Sequence, residues 1–174
     1  MPDMHALIGF KMELIIFIGL QASGKSTFFR THFAETYEYV SKDVLRNNKR
    51  PGRRQMQLIE SALQAQRSVV VDNTNPTVED RAPLIHLGKM YGATIIGYFF
   101  ESQVSTSIKH NKQREGKARV PDVAIYVTAK KLIPPTHAEG FDRLYDVRIA
   151  NDSGFEVQER SASSVTSDGS ANQD

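Results

Sequence analysis

Short apolar runs alternate with longer mixed segments along most of this chain. Four of the runs are almost continuously apolar, which is typical of strands that are buried on both faces of a parallel sheet. Together with one less apolar segment they predict five strands, at residues 14–18, 38–41, 68–72, 94–100 and 144–149.

The segments between these strands carry apolar residues at helical spacing and predict helices. The clearest start is the capping box Thr77-Val78-Glu79-Asp80, and Gly92 fits the C-terminal cap of the same helix. Alternation of strand and helix predicts an α/β fold, with a parallel five-stranded sheet and helices on both of its faces. The expected helices are residues 25–35, 53–66, 77–91, 102–113 and 121–132.

Composition indicates one globular domain, since the chain has 174 residues, 40% hydrophobic and 24% charged. We expect the domain to span residues 12–155, after an N-terminal extension at 1–11. Residues 156–174 are rich in serine and poor in large apolar side chains, and so are predicted to be a disordered tail.

The chain has no cysteine, which excludes disulfides and thiolate chemistry and fits a cytoplasmic location. No apolar run approaches the roughly 20 residues of a membrane helix, so no membrane span is predicted. A signal peptide is disfavoured, because cleavage after the early apolar run would destroy the motif that follows it. No pattern specifies an oligomeric state.

Residues 19–27, GLQASGKST, match the phosphate-binding pattern G-x-x-x-x-G-K-[ST] between a predicted strand and a predicted helix. Backbone N–H groups of such a loop point at phosphates. Lys25 would reach the β and γ phosphates, and the Ser26 hydroxyl would hold Mg²⁺. ATP and Mg²⁺ are therefore the predicted cofactors. The expected nucleotide contacts in the loop are Gly19, Gln21, Ala22, Ser23, Gly24, Lys25, Ser26 and Thr27.

Two other strand ends carry candidate chemistry. Asp72 ends an apolar strand, where an acid commonly orients Mg²⁺, although it could also cap the next turn. A helix that begins near Asp43 would put Arg46 one turn along the same face. Such a pair could activate a hydroxyl and hold an acceptor anion. The simpler alternative is an N-cap with an exposed arginine.

Positive charge is concentrated in two segments, although the net charge is only +2. Residues 42–54 hold six Lys or Arg and residues 109–119 hold five, which is half of the 22 in the chain. Solvated surface is the simple explanation. If both segments lined an acceptor cleft, they would favour a phosphodiester chain as the acceptor.

These motifs together resemble the P-loop polynucleotide 5′-hydroxyl kinases of phage and of the mammalian DNA-repair enzyme, with the small bacterial kinases grouped with them. The resemblance covers about residues 12–149. It is carried by GLQASGKST, SKDVLR at 41–46, VVVDNTNP at 69–76, KHNKQREGKARVP at 109–121 and PPTHAEGFDRLYDVRI at 134–149.

The resemblance implies a P-loop NTPase fold with a basic lid. The family's general base corresponds to Asp43 and its acceptor-phosphate arginine to Arg46. The family's metal-orienting acid corresponds to Asp72, and both Asp72 and Asn75 of the same motif are assigned to substrate binding. Its lid arginine, which clamps the donor phosphates, corresponds to Arg114.

An earlier lid arginine of the family is replaced here by Lys109 or His110, and Arg119 is an alternative nucleotide contact. Arg81 either braces the Asp72 segment or lies on a helix surface. The chain lacks the D-x-D-x-[TV] loop of the family's phosphatase half, so no 3′-phosphatase activity is expected.

The predicted function is transfer of the γ-phosphoryl group of ATP to a 5′-hydroxyl end of RNA or DNA. In this hypothesis Lys25, Asp43 and Arg114 are the catalytic residues. Two alternatives remain open. One is a kinase of a small hydroxyl compound such as a nucleoside, sugar or antibiotic, and the other is an ATP-binding module without transfer activity.

Overall fold

A central parallel sheet organises the structure, a computed structural model that describes residues 11–162. Five of its strands are parallel: Glu13–Gly19 (β1), Glu38–Val40 (β2), Val69–Asp72 (β3), Thr94–Phe100 (β4) and Arg143–Ile149 (β5). They lie in the order β2-β3-β1-β4-β5, so β1 is between β3 and β4. The predicted α/β fold with five parallel strands is therefore confirmed.

A sixth strand, Phe155–Arg160 (β6), pairs antiparallel with β5 at the sheet edge. The prediction of a disordered tail is therefore wrong for residues 156–160. Cross-strand ion pairs hold this strand: Arg160 Nη2 lies 2.5 Å from Asp146 Oδ1, and Arg143 Nε lies 3.0 Å from Glu159 Oε1. A strand stabilised in this way lacks the apolar signal of a buried one. The rest of the predicted tail, from residue 163, and residues 1–10 of the predicted extension lie outside the described residues.

All five predicted helices are present, with ends shifted by a few residues. They are Lys25–His32 (α1), Pro51–Gln64 (α2), Val78–Met90 (α3), Val104–Lys112 (α4) and Asp122–Lys131 (α5). Thr77 caps α3 in the predicted capping box with Asp80, and Gly92 follows the helix at φ +71°. None of the helices within residues 11–162 is long and apolar enough to span a membrane.

Helices cover both faces of the sheet, and this explains why β1 is apolar from Leu14 onward. On one face Leu14 and Ile16 join a core with residues of α2 and α3. On the other face Phe17 packs against Phe28 of α1, with ring centroids 5.9 Å apart. The helices α4 and α5 pack against each other instead.

Arg81 is fully buried and bonds to three separate segments. Its Nε and Nη2 donate to Glu139 at 2.7 and 3.0 Å, and its Nη1 donates to the carbonyls of Asn75 and Ile133, both at 3.0 Å. Of the two alternatives for this residue, the brace is therefore correct. Arg81 fixes the segment that follows β3 against the chain that leaves α5.

Candidate functional site

A cleft of about 760 Å³ opens at the carboxyl edge of the sheet, where β1, β2 and β3 end. This is the edge at which open α/β sheets bind their ligands. Most predicted site residues line the cleft, whereas Gly19, Ser23 and Arg119 do not. Those that line it are Gln21, Ala22, Gly24, Lys25, Ser26, Thr27, Asp43, Arg46, Asp72, Asn75 and Arg114.

The two glycines of the phosphate loop are required for different reasons. Gly24 precedes α1 at φ +95°, a left-handed conformation that side chains rarely adopt. A Cβ at Gly19 would lie 2.9 Å from the Cβ of Phe100, so this position allows close packing of the loop on β4. Gly19 therefore packs against β4 and does not line the cleft.

Lys25 lies folded into the phosphate loop and is 8% exposed. Its ammonium donates to the carbonyls of Gly19 and Leu20, at 3.0 and 2.6 Å. Burial lowers the pKa of Lys25 to about 8, although the charge of Asp72 opposes this shift. Arg114 also lowers this pKa and Asp43 raises it, so both charges act at the same ammonium.

Asp72 faces the start of α1 and is 5% exposed. Its Oδ2 accepts hydrogen bonds from Ser26 Oγ and from the Tyr39 hydroxyl, each at 2.7 Å. The carboxylate is thus directed at the phosphate loop rather than at the turn that follows β3.

Tyr39 is a member of this group that the sequence analysis missed. Its ring lies 4.5 Å from that of Phe29, and burial together with Asp72 raises the pKa of Tyr39 to about 12, so the phenol remains a donor. The available signal was the register of β2 against β3. Tyr39 pairs with Val70, which lies two residues before Asp72 on the same face.

The donor atoms around Asp72 fit Mg²⁺. They are oxygens only, from one carboxylate and two hydroxyls. Mg²⁺ commonly takes one or two carboxylates from a protein and completes its shell with water and substrate phosphates. Across residues 11–162 there is no group of three or more His, Cys, Asp or Glu side chains arranged to hold a metal. The site therefore suits a metal that binds together with a phosphate ligand.

The segment that carries Asp43 and Arg46 forms turns, and the predicted helix near Asp43 is wrong. The Leu45 N–H donates to Lys42 O at 3.0 Å, which is the hydrogen bond of a β-turn. The turn still places the pair together, because Arg46 Nε donates to the carbonyl of Asp43 at 3.0 Å. Asp43 is exposed and lines the cleft.

Residues from the basic segment 109–119 reach over the phosphate loop. His110 Nδ1 lies 3.3 Å from the carbonyl of Ala22, and Lys109 is exposed. Arg114 lines the cleft, whereas Arg119 is exposed outside it. On the far side, Arg46 Nη1 donates to the carbonyl of Lys117 at 3.4 Å and links the Asp43 turn to this lid.

A further contact joins α5, the helix that follows the basic segment 109–119, to the phosphate loop. Gln21 Nε2 donates to Thr128 Oγ1 of α5 at 2.9 Å. Asn75, in contrast, uses its side-chain amide for the fold: Nδ2 donates to the carbonyl of Phe17 at 2.8 Å. Asn75 thus borders the cleft while holding the end of β3 against β1.

Positive charge dominates the cleft. Seven Lys or Arg residues and three Asp residues line it, which leaves four cations in excess. Such an excess attracts ligands with several negative charges. The cations are Lys25, Arg30, Lys42, Arg46, Arg114, Lys117 and Lys131, and the acids are Asp43, Asp72 and Asp80.

The fold and the cleft together define a P-loop nucleotide-binding protein. The chain belongs to the AAA domain family, whose model matches residues 14–132. It is also 27% identical over 139 residues to a bifunctional polynucleotide phosphatase/kinase of Schizosaccharomyces pombe. That match covers 78% of this chain and 33% of the relative. The resemblance to polynucleotide kinases is thereby confirmed, and the chain spans about one third of the length of the curated relatives it matches.

Two solved structures share the fold at lower identity. The Pnkp1/Rnl/Hen1 RNA repair complex contains a chain that is 21% identical, with a TM-score of 0.62, and the match covers 99% of this chain and 55% of that one. Kti12 of Chaetomium thermophilum in complex with ADP-AlF3 is 15% identical, with a TM-score of 0.64 and coverages of 80% and 92%.

The ammonium of Lys25 should titrate near pH 8, below an ordinary lysine at about 10.4. Burial disfavours the charged form of Lys25 in the folded state and not in the unfolded state. It therefore costs stability, and this cost is complete below pH 8. It is relieved as the pH rises from 8 towards 10.5. A phosphate on the loop would raise the pKa again. NMR of ¹³C-methylated lysines should therefore show a resonance with a midpoint near 8 that moves upward with pyrophosphate.

The variant Lys25→Arg assigns this resonance, because it should remove that signal and leave the others. Titration of every lysine above about pH 9.5 would contradict the burial of this ammonium.

Proposed function

We propose that the protein is a Mg²⁺-dependent kinase that transfers the γ-phosphoryl group of ATP to a 5′-hydroxyl end of a polynucleotide. One observation carries the proposal: the carboxylate of Asp43 lines the same cleft as Lys25 and Asp72. The γ phosphate of a triphosphate bound to the loop would thus lie between the cation of Lys25 and the candidate base Asp43. The similarity to a polynucleotide phosphatase/kinase supports the choice of acceptor.

In the proposed step, Asp43 accepts the proton of the acceptor 5′-hydroxyl as its oxygen attacks the γ phosphorus. The bond from that phosphorus to the β–γ bridging oxygen breaks, and ADP leaves. Lys25 and Arg114 stabilise the charge on the transferring group. Ser26 and Asp72 would hold Mg²⁺, which when bound neutralises charge on the phosphate oxygens.

The charge of the cleft favours a polynucleotide over a small neutral acceptor. Arg46 lies beside Asp43 and would hold the acceptor phosphate next to the reacting hydroxyl. Lys42 and Lys117 line the same cleft. A sugar or an unphosphorylated nucleoside has no charge for these side chains to contact.

Transfer is tested by incubating the protein with γ-labelled ATP, Mg²⁺ and a panel of acceptors. Label should move to RNA or DNA oligonucleotides with a 5′-hydroxyl, and not to the same oligonucleotides with a 5′-phosphate. Transfer to sugars or nucleosides alone would replace the proposal by a small-molecule kinase. ATP that binds without transfer or hydrolysis would favour a non-catalytic module.

The variant Asp43→Asn should lower kcat by about 10²-fold or more, because it removes the proposed base without changing its size. The affinity for ATP should stay within a few-fold. Glu79→Gln is the matched control, since it removes a carboxylate near the same sheet edge that does not line the cleft. An unchanged kcat in Asp43→Asn would remove Asp43 from the mechanism.

The variant Tyr39→Phe should weaken binding of ADP with Mg²⁺ by about tenfold while leaving binding of ADP in EDTA unchanged. The change removes the O–H that orients Asp72, and loss of such a partner typically costs about 10–100-fold in metal affinity. The control is Tyr37→Phe, which removes a phenol bonded to Glu13 outside the cleft. Equal effects with and without Mg²⁺, measured by calorimetry, would contradict a role toward the metal.

A further inference from the structure

Four cations of the basic segment 42–54 lie outside the cleft. Lys42 and Arg46 line it, whereas Lys49, Arg50, Arg53 and Arg54 do not. All four are exposed. We call these four residues the basic ridge. The nucleotide and the reacting end of the acceptor do not need them, so the chemistry of the cleft leaves the ridge without a role.

Within residues 11–162, no acidic side chain forms an ion pair with the basic ridge. The ion pairs found within residues 11–162 involve five other arginines, at positions 67, 81, 143, 148 and 160. Along the sequence there is no Asp or Glu between Asp43 and Glu60. Neighbouring like charges repel one another, so the ridge costs stability unless an anion binds it.

The basic ridge continues directly from the acceptor side of the cleft. The Asn48 N–H donates to Leu45 O at 2.8 Å and closes the turn that carries Arg46. Lys49 and Arg50 come next, and Arg53 and Arg54 lie in the first turn of α2. Buried Gln55 and Ile59 fix this helix to the fold and leave the ridge in solvent.

The composition of the surface indicates its partner. Residues 46–54, RNNKRPGRR, contain cations, two asparagines, one proline and one glycine, and no large apolar or aromatic side chain. Protein interfaces and membrane-binding helices use apolar or aromatic anchors. A row of cations without them suits a regular polyanion, whose phosphates such side chains bind without reading the bases.

We propose that the basic ridge binds the sugar-phosphate backbone of the acceptor strand beyond its reacting 5′ end. The inference rests on the proposed function, in which that end lies at Asp43 and Arg46. The phosphates that follow leave the cleft past Arg46 and lie along the ridge. The ridge therefore gives the enzyme a preference for acceptor length rather than for sequence.

The test compares a 5′-hydroxyl dinucleotide, which has one phosphate, with a 12-nucleotide single strand. In Lys49→Ala/Arg50→Ala and in Arg53→Ala/Arg54→Ala, kcat/KM for the 12-nucleotide strand should fall on the order of tenfold. The value for the dinucleotide should stay within about twofold, because its phosphate reaches only Arg46. The slope of log affinity against log salt should decrease by about 0.7 for each lost phosphate contact.

The matched control is Lys11→Ala/Lys89→Ala, which removes the same charge from two exposed positions outside the cleft, before β1 and at the end of α3, and should leave the length preference intact. Equal losses on both acceptors, or an unchanged length preference in the ridge variants, would overturn the proposal. Binding of a fluorescent 12-nucleotide strand, measured without ATP, distinguishes a failure of the ridge proposal from a failure of the proposed kinase function. Salt-dependent binding that the ridge variants lose, without any transfer by the wild type, would reject the kinase and keep the ridge.

The opposite result is that the wild type transfers label and that the ridge variants bind the 12-nucleotide strand as tightly as the wild type does. The kinase would stand, and the ridge would have no part in acceptor binding.

Discussion

The pairing of β1 with β3 sets the geometry on which the whole site depends. In this register Phe17 lies opposite Asp72, two residues before the phosphate loop begins. Hydrogen bonds from Gly19 N–H to Thr74 O and from Asn75 Nδ2 to Phe17 O hold the two strand ends together. The register of these two buried strands therefore places the Ser26 hydroxyl 2.7 Å from Asp72.

Arg81 extends this constraint to residues 134–149, one of the segments that carry the resemblance to polynucleotide kinases. Glu139 of that segment receives two hydrogen bonds from the buried guanidinium, which also holds the carbonyl of Asn75. An unpaired charge at either position would be costly in this interior. The AEGF part of the resemblance is therefore explained by support for the cleft floor rather than by contact with a substrate.

Features that are contiguous in sequence were predicted well, and those that depend on contacts between distant segments were not. The phosphate loop and the Thr77 capping box each lie within a few residues, so their patterns identify them directly. Tyr39 and Asp72 are 33 residues apart and meet only through the β2–β3 register. β6 is held by ion pairs across strands, and the turn at Asp43 contacts the lid through Arg46 and Lys117, which are 71 residues apart. Side chains of the lid likewise reach the loop only in three dimensions.

The packing of Phe155 against the phosphate loop has a consequence for where the functional unit ends. A Cβ at Gly24 would lie 3.0 Å from this ring, which also contacts Phe28 of α1 with centroids 5.1 Å apart. The loop thus rests on the first residue of β6, and that strand is secured at its other end by Arg160. Truncation just after the last parallel strand would remove this support, so a minimal fragment with an intact phosphate loop has to retain the antiparallel edge.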